Sequence, residues 1–121
     1  MHDNDAIVRE FCAAWGRGDA DAIVDAFTDD AVYHNIPMDP IVGRAAIDGV
    51  VRAFLAGGTV EFETLHQVAH GEIVMNERID RIAREGGTVD LPVMGVFELR
   101  DGKIAAWRDY FDVAMWRAGS D

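Results

Sequence analysis

The chain has 121 residues, half of them hydrophobic, which is the size and composition of one small globular domain spanning residues 1–121. Eleven basic residues against 22 acidic ones give a formal charge of −11, which argues against nucleic acid and against anionic membrane surfaces as partners. Cys12 is the only cysteine, so neither an internal disulfide nor a cysteine-rich zinc site can form.

Asp3 to Trp15 places Ile7, Val8, Phe11, Cys12 and Trp15 at three- and four-residue spacings, one face of a helix that Asp3 or Asn4 can cap. Gly16-Arg17-Gly18 ends it. Asp19 caps a second helix carrying Ile23, Val24, Ala26 and Phe27, which Thr28-Asp29-Asp30 closes. A short extended piece, Ala31 to Ile36, precedes Pro37 and Pro40. Gly43 to Leu55 reads as a third helix, stopped by Gly57-Gly58. Four strands follow: Thr59–Ala69, Glu72–Ala83, Val89–Leu99 and Lys103–Val113. They are joined by turns at His70-Gly71, Glu85-Gly86-Gly87 and Asp101-Gly102, the last a strong hairpin signal. Three successive hairpins make an antiparallel meander. Helices first and strands second give an α+β fold, with the helices on one face of a curved sheet. The polar N-terminus and the absence of a long apolar run predict a cytoplasmic protein. The modest core of so short a chain predicts a homodimer.

Alternation assigns the strand faces. Val89, Leu91, Val93, Gly95, Phe97 and Leu99 share one apolar face. Ala105, Trp107, Asp109, Phe111 and Val113 share another, so a carboxylate sits inside an apolar stripe. Moving Asp109 outward would carry Trp107 and Phe111 out with it. An acid there is costly unless paired or hydrogen-bonded. It is either a functional group, one half of a buried ion pair, or a carboxylate hydrogen-bonded to backbone. On the second strand Val74, Asn76, Arg78, Asp80 and Ile82 share a face. Arg78 and Asp80 stand side by side, either as a surface pair worth about 0–1 kcal/mol or as partners of Asp109. In the second case a guanidinium bridges two carboxylates whose pKa values are driven apart, the division that general acid–base chemistry requires. Tyr33 and Asn35 share a face of the short extended piece, and a phenol and a carboxamide can hold a water between them. His66 and His70 lack a third converging ligand, so no metal site is expected.

These stretches resemble the limonene-1,2-epoxide hydrolase family, within the proteins that share the nuclear transport factor 2-like cone fold. The matching segments are Val32-Tyr33-His34-Asn35-Ile36-Pro37, Asn76-Glu77-Arg78-Ile79-Asp80, Gly95-Val96-Phe97 and Trp107-Arg108-Asp109-Tyr110-Phe111-Asp112. The resemblance implies a cone: a curved, mixed or antiparallel sheet with three N-terminal helices around an apolar pocket. It implies that Asp109 is the general base, with Tyr33 and Asn35 holding the attacking water. Asp80 would then be the acid that protonates the epoxide oxygen, and Arg78 the bridge between the carboxylates. It further implies a one-step reaction on a small hydrophobic epoxide, with no metal and no organic cofactor. Leu91, Val93, Met94, Phe97, Trp107 and Phe111 are the candidates to line the pocket.

The same fold hosts other chemistry. A ketosteroid isomerase-like or polyketide cyclase-like enzyme needs a lone carboxylate base and an oxyanion donor. A non-catalytic binder of hydrophobic ligands needs neither. The Arg78–Asp80 pair opposite Asp109 suits epoxide opening better than the isomerase or cyclase reaction, and five matched polar positions argue against a mere binder.

Overall fold

The computed structural model describes residues 2–118. Helix α1 (Asn4–Arg17) starts where Asp3 Oδ1 accepts the Ala6 amide at 3.0 Å. It stops at Gly18, whose φ of 68° is a left-handed conformation that suits glycine. Its buried face is Val8, Phe11, Cys12, Ala14 and Trp15. Helix α2 (Ala20–Asp25) is capped in the same way by Asp19, which accepts the Ala22 amide at 3.1 Å.

The next segment departs from the sequence expectation. Strand β1 (Phe27–Asn35) begins at Phe27, so Thr28-Asp29-Asp30 is extended rather than the end of a helix. Phe27 pairs with Ile104, while Asp29 and Asp30 lie outside against Arg44 and Arg100. Sheet pairing overrides the local polarity that suggested a helix end. After the Pro37–Pro40 turn, a two-residue strand β2 (Ile41–Val42), also absent from the sequence reading, pairs antiparallel with β1. Helix α3 (Arg44–Gly57) follows, burying Ile47 and Val51.

The meander is β3 (Gly58–His70), β4 (Ile73–Arg84), β5 (Gly87–Arg100) and β6 (Lys103–Tyr110), each antiparallel to the next. The six-stranded sheet runs β2-β1-β6-β5-β4-β3. Strand β1 lies parallel to β6, which makes the sheet mixed. A bulge between Glu98 and Leu99 leaves one extra residue on β6 and inverts its parity there. Ile104, not Ala105, is therefore the fully buried residue at that end.

The last strand is shorter than its alternation suggests. It ends at Tyr110, and Val113, expected on its inner face, opens helix α4 (Val113–Ala118), a fourth helix beyond the three anticipated. Asp112 Oδ1 accepts the Ala114 amide at 2.9 Å, a cap hidden by the strand-like period around it. Arg84 holds α4 in place: its guanidinium lies 3.7 Å from the Trp116 ring centre and donates to the Trp116 carbonyl at 2.9 Å. No helix among the described residues is long and apolar enough to cross a membrane.

The core lies between α1, α2, α3 and the inner face of the sheet. Its centre is Trp107, with Phe11 edge-on at 5.0 Å and Phe97 stacked at 5.4 Å.

Candidate active site

A cavity of about 150 Å³ opens between the inner face of the sheet, α3 and α4. Its walls are apolar, including Trp15, Phe54, Phe62, Ile82 and Trp116, and its polar lining is Asp80, Asp109, Tyr33 and Asn35. Pairing brings these four together. Asp80 and Asp109 sit on inner faces of β4 and β6, two strands apart. Asn35 is the parallel partner of Asp109, and Tyr33 the partner of Trp107. The Tyr33 ring stacks on the Trp107 indole at 4.3 Å with an interplanar angle of 7°.

Arg78 is fully buried beneath the carboxylates. Its Nε and Nη2 donate to Asp80 Oδ1 and Oδ2, both at 2.9 Å. Its Nη1 and Nη2 donate to Asp109 Oδ1 at 3.2 Å and Oδ2 at 2.8 Å. The remaining Nη1 proton goes to Asn76 Oδ1 at 2.9 Å. All five guanidinium protons are therefore used. Asp109 Oδ1 also accepts the Trp107 indole N–H at 2.7 Å. Phe62 lies against the guanidinium, its ring centre 4.6 Å from Cζ.

The electrostatics follow from burial. Burial opposes the Arg78 charge, but Asp109 and Asp80 outweigh it and hold its pKa well above the ordinary value, so it stays a cation. Burial raises the Asp80 carboxyl above its usual range even though Arg78 pulls the other way. With both acids ionised the cluster carries one net negative charge in an apolar wall; a proton on Asp80 removes it. Burial and the neighbouring Asp109 charge keep the Tyr33 phenol protonated.

Gly95 makes room for this arrangement. It faces Asn76 on one side and Asp109 on the other. A Cβ there would lie 2.8 Å from Asn76 Oδ1, 2.9 Å from Asp109 Oδ1, and closer still to Arg78 Nη1. Gly95→Ala is expected to push the guanidinium out of register, lowering thermal stability by about 1–3 kcal/mol and kcat by about 10²-fold. Calorimetry and steady-state kinetics check both; a variant matching the wild type in each would show that the cluster has slack.

Of the proposed pocket residues, Leu91, Val93 and Phe111 line the cavity. Met94 does not: it is 46 % exposed on the opposite side of the sheet, because its neighbours Val93 and Gly95 take the inner face. Phe97 and Trp107 are fully buried in the core behind the site and do not line it. The sequence reading missed Trp15, Phe54, Phe62 and Trp116 as wall residues. Alternation along Val60, Phe62 and Thr64 carries the signal for Phe62; nothing local marks Trp116.

A curved mixed sheet, closed by helices over an apolar cavity with acids in its wall, is the cone fold of the nuclear transport factor 2-like proteins. Within that class, residues 2–118 match the limonene-1,2-epoxide hydrolase catalytic domain, and the chain belongs to that family. It is 38% identical over 108 residues to epoxide hydrolase EphG of Mycobacterium tuberculosis (strain ATCC 25618 / H37Rv), covering 88% of this chain and 71% of that protein. It superposes on the structure of an M. tuberculosis LEH-like epoxide hydrolase with a TM-score of 0.86 and 33% identity, over 94% of this chain and 86% of that one. A candidate polyketide cyclase from Xanthomonas campestris pv. campestris shares the fold, with a TM-score of 0.87 and 22% identity over 98% of this chain and 96% of that one. The family match and the EphG relative support epoxide hydrolysis as the activity class.

Proposed function

We propose that the chain hydrolyses an apolar, cyclic epoxide to a vicinal diol in one step, by direct attack of water. The observation that carries this reading is the Asp80–Arg78–Asp109 bridge in the wall of an apolar cavity. Asp109 takes a proton from a water held by Tyr33 and Asn35. The water oxygen bonds to an epoxide carbon as that C–O bond breaks. Asp80, whose carboxyl burial shifts above its ordinary range, gives its proton to the departing oxygen. Arg78 fixes both carboxylates, and its charge offsets part of the effect of burial on Asp80. The apolar wall holds the ring and excludes bulk water, which strengthens each charge interaction. The residues named supply all the proton transfers, so the scheme calls on no metal and no organic cofactor.

The test is one turnover in H₂¹⁸O with enzyme in excess over a cyclic epoxide. The first diol formed is expected to carry one ¹⁸O. An unlabelled first diol, with the label in an aspartate carboxylate, would establish an ester intermediate and overturn direct attack. No hydrolysis across a panel of terpene, cycloalkene, fatty-acid and sterol epoxides would overturn the activity itself. Parallel assay of a steroid enone separates the isomerase-like alternative.

The reading includes a homodimer formed through the outer face of the sheet. Val68, Met75, Met94 and Tyr110 are exposed there, and pairing sets Val68 beside Met75 and Met94 beside Tyr110. Light scattering that gives a monomer mass at micromolar concentration would exclude it.

A further inference from the structure

The fifth acceptor of Arg78 begins a chain of hydrogen bonds that leaves the cavity. Asn76 Oδ1 accepts from Arg78, and Asn76 Nδ2 donates to Gln67 Oε1 at 3.2 Å. Gln67 Nε2 in turn donates to Asp5 Oδ1 at 2.8 Å and to the Asp5 carbonyl at 3.1 Å. Asp5 lies in the first turn of α1, where Arg9 Nε also donates to its Oδ2 at 3.0 Å. Both ends fix the direction of the chain. A guanidinium can only donate and a main-chain carbonyl can only accept. Each amide must therefore turn its oxygen toward Arg78 and its nitrogen toward Asp5. The result is a line of aligned amide dipoles between a cation and an anion, an arrangement in which each bond polarises the next.

The sheet is built to place this chain. Strand β3 carries a bulge between Thr64 and His66. Before it Val60, Phe62 and Thr64 look inward; after it the parity is reversed. Gln67 turns inward opposite Asn76, while His66 and Val68 face solvent. Without the extra residue, Gln67 would point away from the site. Bulges commonly re-aim a side chain in this way. Asn76 itself is buried and neutral, so it satisfies Arg78 without adding a third carboxylate to the cluster. Cys12, also on α1, lies beside Asn76, and burial pushes its thiol up to about 12, so it packs there uncharged.

We propose that Asn76 and Gln67 are positioning residues for the reaction, tethering Arg78 to α1 at Asp5 and so setting the plane in which its guanidinium holds Asp80 and Asp109. The inference rests on the hydrolase reading for its kinetic consequence, but the tether has its own physical readout. Gln67 and Asp5 do not line the cavity, so altering them leaves the substrate contacts in place.

Gln67→Met removes both links at a half-buried position while keeping length and flexibility. Its kcat on a cyclic epoxide is expected to fall by about 10-fold, within the range that displacement of a reacting group produces, with KM within about twofold of wild type. In ¹⁵N-arginine-labelled protein, wild-type Arg78 should give separate, slowly exchanging Nη proton signals, and Gln67→Met should broaden or merge them. Asn76→Leu should do the same more severely; should it fail to fold, the Gln67 variant still decides. Wild-type kcat together with wild-type Arg78 signals in Gln67→Met would overturn the tether. Inert wild-type protein with sharp Arg78 signals that collapse in Gln67→Met would instead overturn the hydrolase reading and leave the tether standing.

Discussion

Asp109→Asn is expected to lower kcat/KM toward a cyclic epoxide by about 10²–10⁴-fold, the usual contribution of a positioned acid or base, and to leave the fold intact. The asparagine oxygen can still accept the Trp107 indole and Arg78 Nη1, while the bond from Arg78 Nη2 is lost because an amide nitrogen cannot accept it. What goes, on the proposed mechanism, is the lone pair that takes the proton from water. A second loss accompanies it. Arg78 would then face a single carboxylate, and the full positive charge would draw the Asp80 proton away. On that mechanism one substitution removes the proposed base and weakens the proposed acid. Asp80→Asn should be equally severe, because an amide cannot deliver a proton to the leaving oxygen. Circular dichroism confirms folding, and steady-state kinetics measures the loss. An Asp80→Asn/Asp109→Asn double variant with full activity would sink the acid–base scheme.

Arg78→Met carries the largest expected cost in stability. It leaves two buried carboxylates facing each other without a counter-ion, a change of the kind that costs about 3–5 kcal/mol. The cost depends on pH in a definite direction. In wild type, Asp80 already has its pKa raised above the ordinary 3.8. Above 3.8 and up to its folded pKa, the native state holds more protons than the unfolded one. The contribution of Asp80 is therefore fully present below 3.8 and is lost as pH rises through the folded value. Removing Arg78 takes away the group that lowers the Asp80 pKa, so the same loss extends to higher pH and grows. Urea unfolding at pH 5 and pH 8 should show Arg78→Met much weaker at the higher pH. Equal midpoints at the two pH values would mean that the carboxylates escape to solvent when the guanidinium is gone.

Much of this site is legible in the sequence, for identifiable reasons. Asp109 declares itself because strand parity puts Trp107 and Phe111 on its face. Arg78 and Asp80 are two apart on a strand, so their adjacency needs no tertiary knowledge. Whether that face looks inward is a tertiary matter, and the packing of α1 against β3 and β4 decides it. Asn35 and Asp109 meet through a parallel pairing of the first strand with the last, which local periodicity does not encode. Bulges account for one departure from the expected parity and for one orientation that alternation alone would not give. One moves burial from Ala105 to Ile104; the other turns Gln67 inward, and each breaks the two-residue period that a sequence reader relies on. Met94 shows the opposite lesson: its hydrophobicity suggests the pocket, and its parity places it outside. Helix α4 is hidden because Asp109 to Val113 continues the strand alternation after the sheet has ended.

The parallel pairing of β1 with β6 has a consequence for folding. Strand β6 sits between β1 and β5, so Tyr33 and Asn35 share a surface with Asp109 only once the C-terminal hairpin has closed against a strand from the start of the chain. That contact spans most of the sequence, the kind that forms late because loop closure must precede it. A partly folded chain can hold the β3–β4–β5 meander, with Arg78 and Asp80 in place, and still lack Asp109 beside them. Catalysis and completion of the sheet should therefore appear at the same moment in refolding, and the first turnover marks arrival at the native topology.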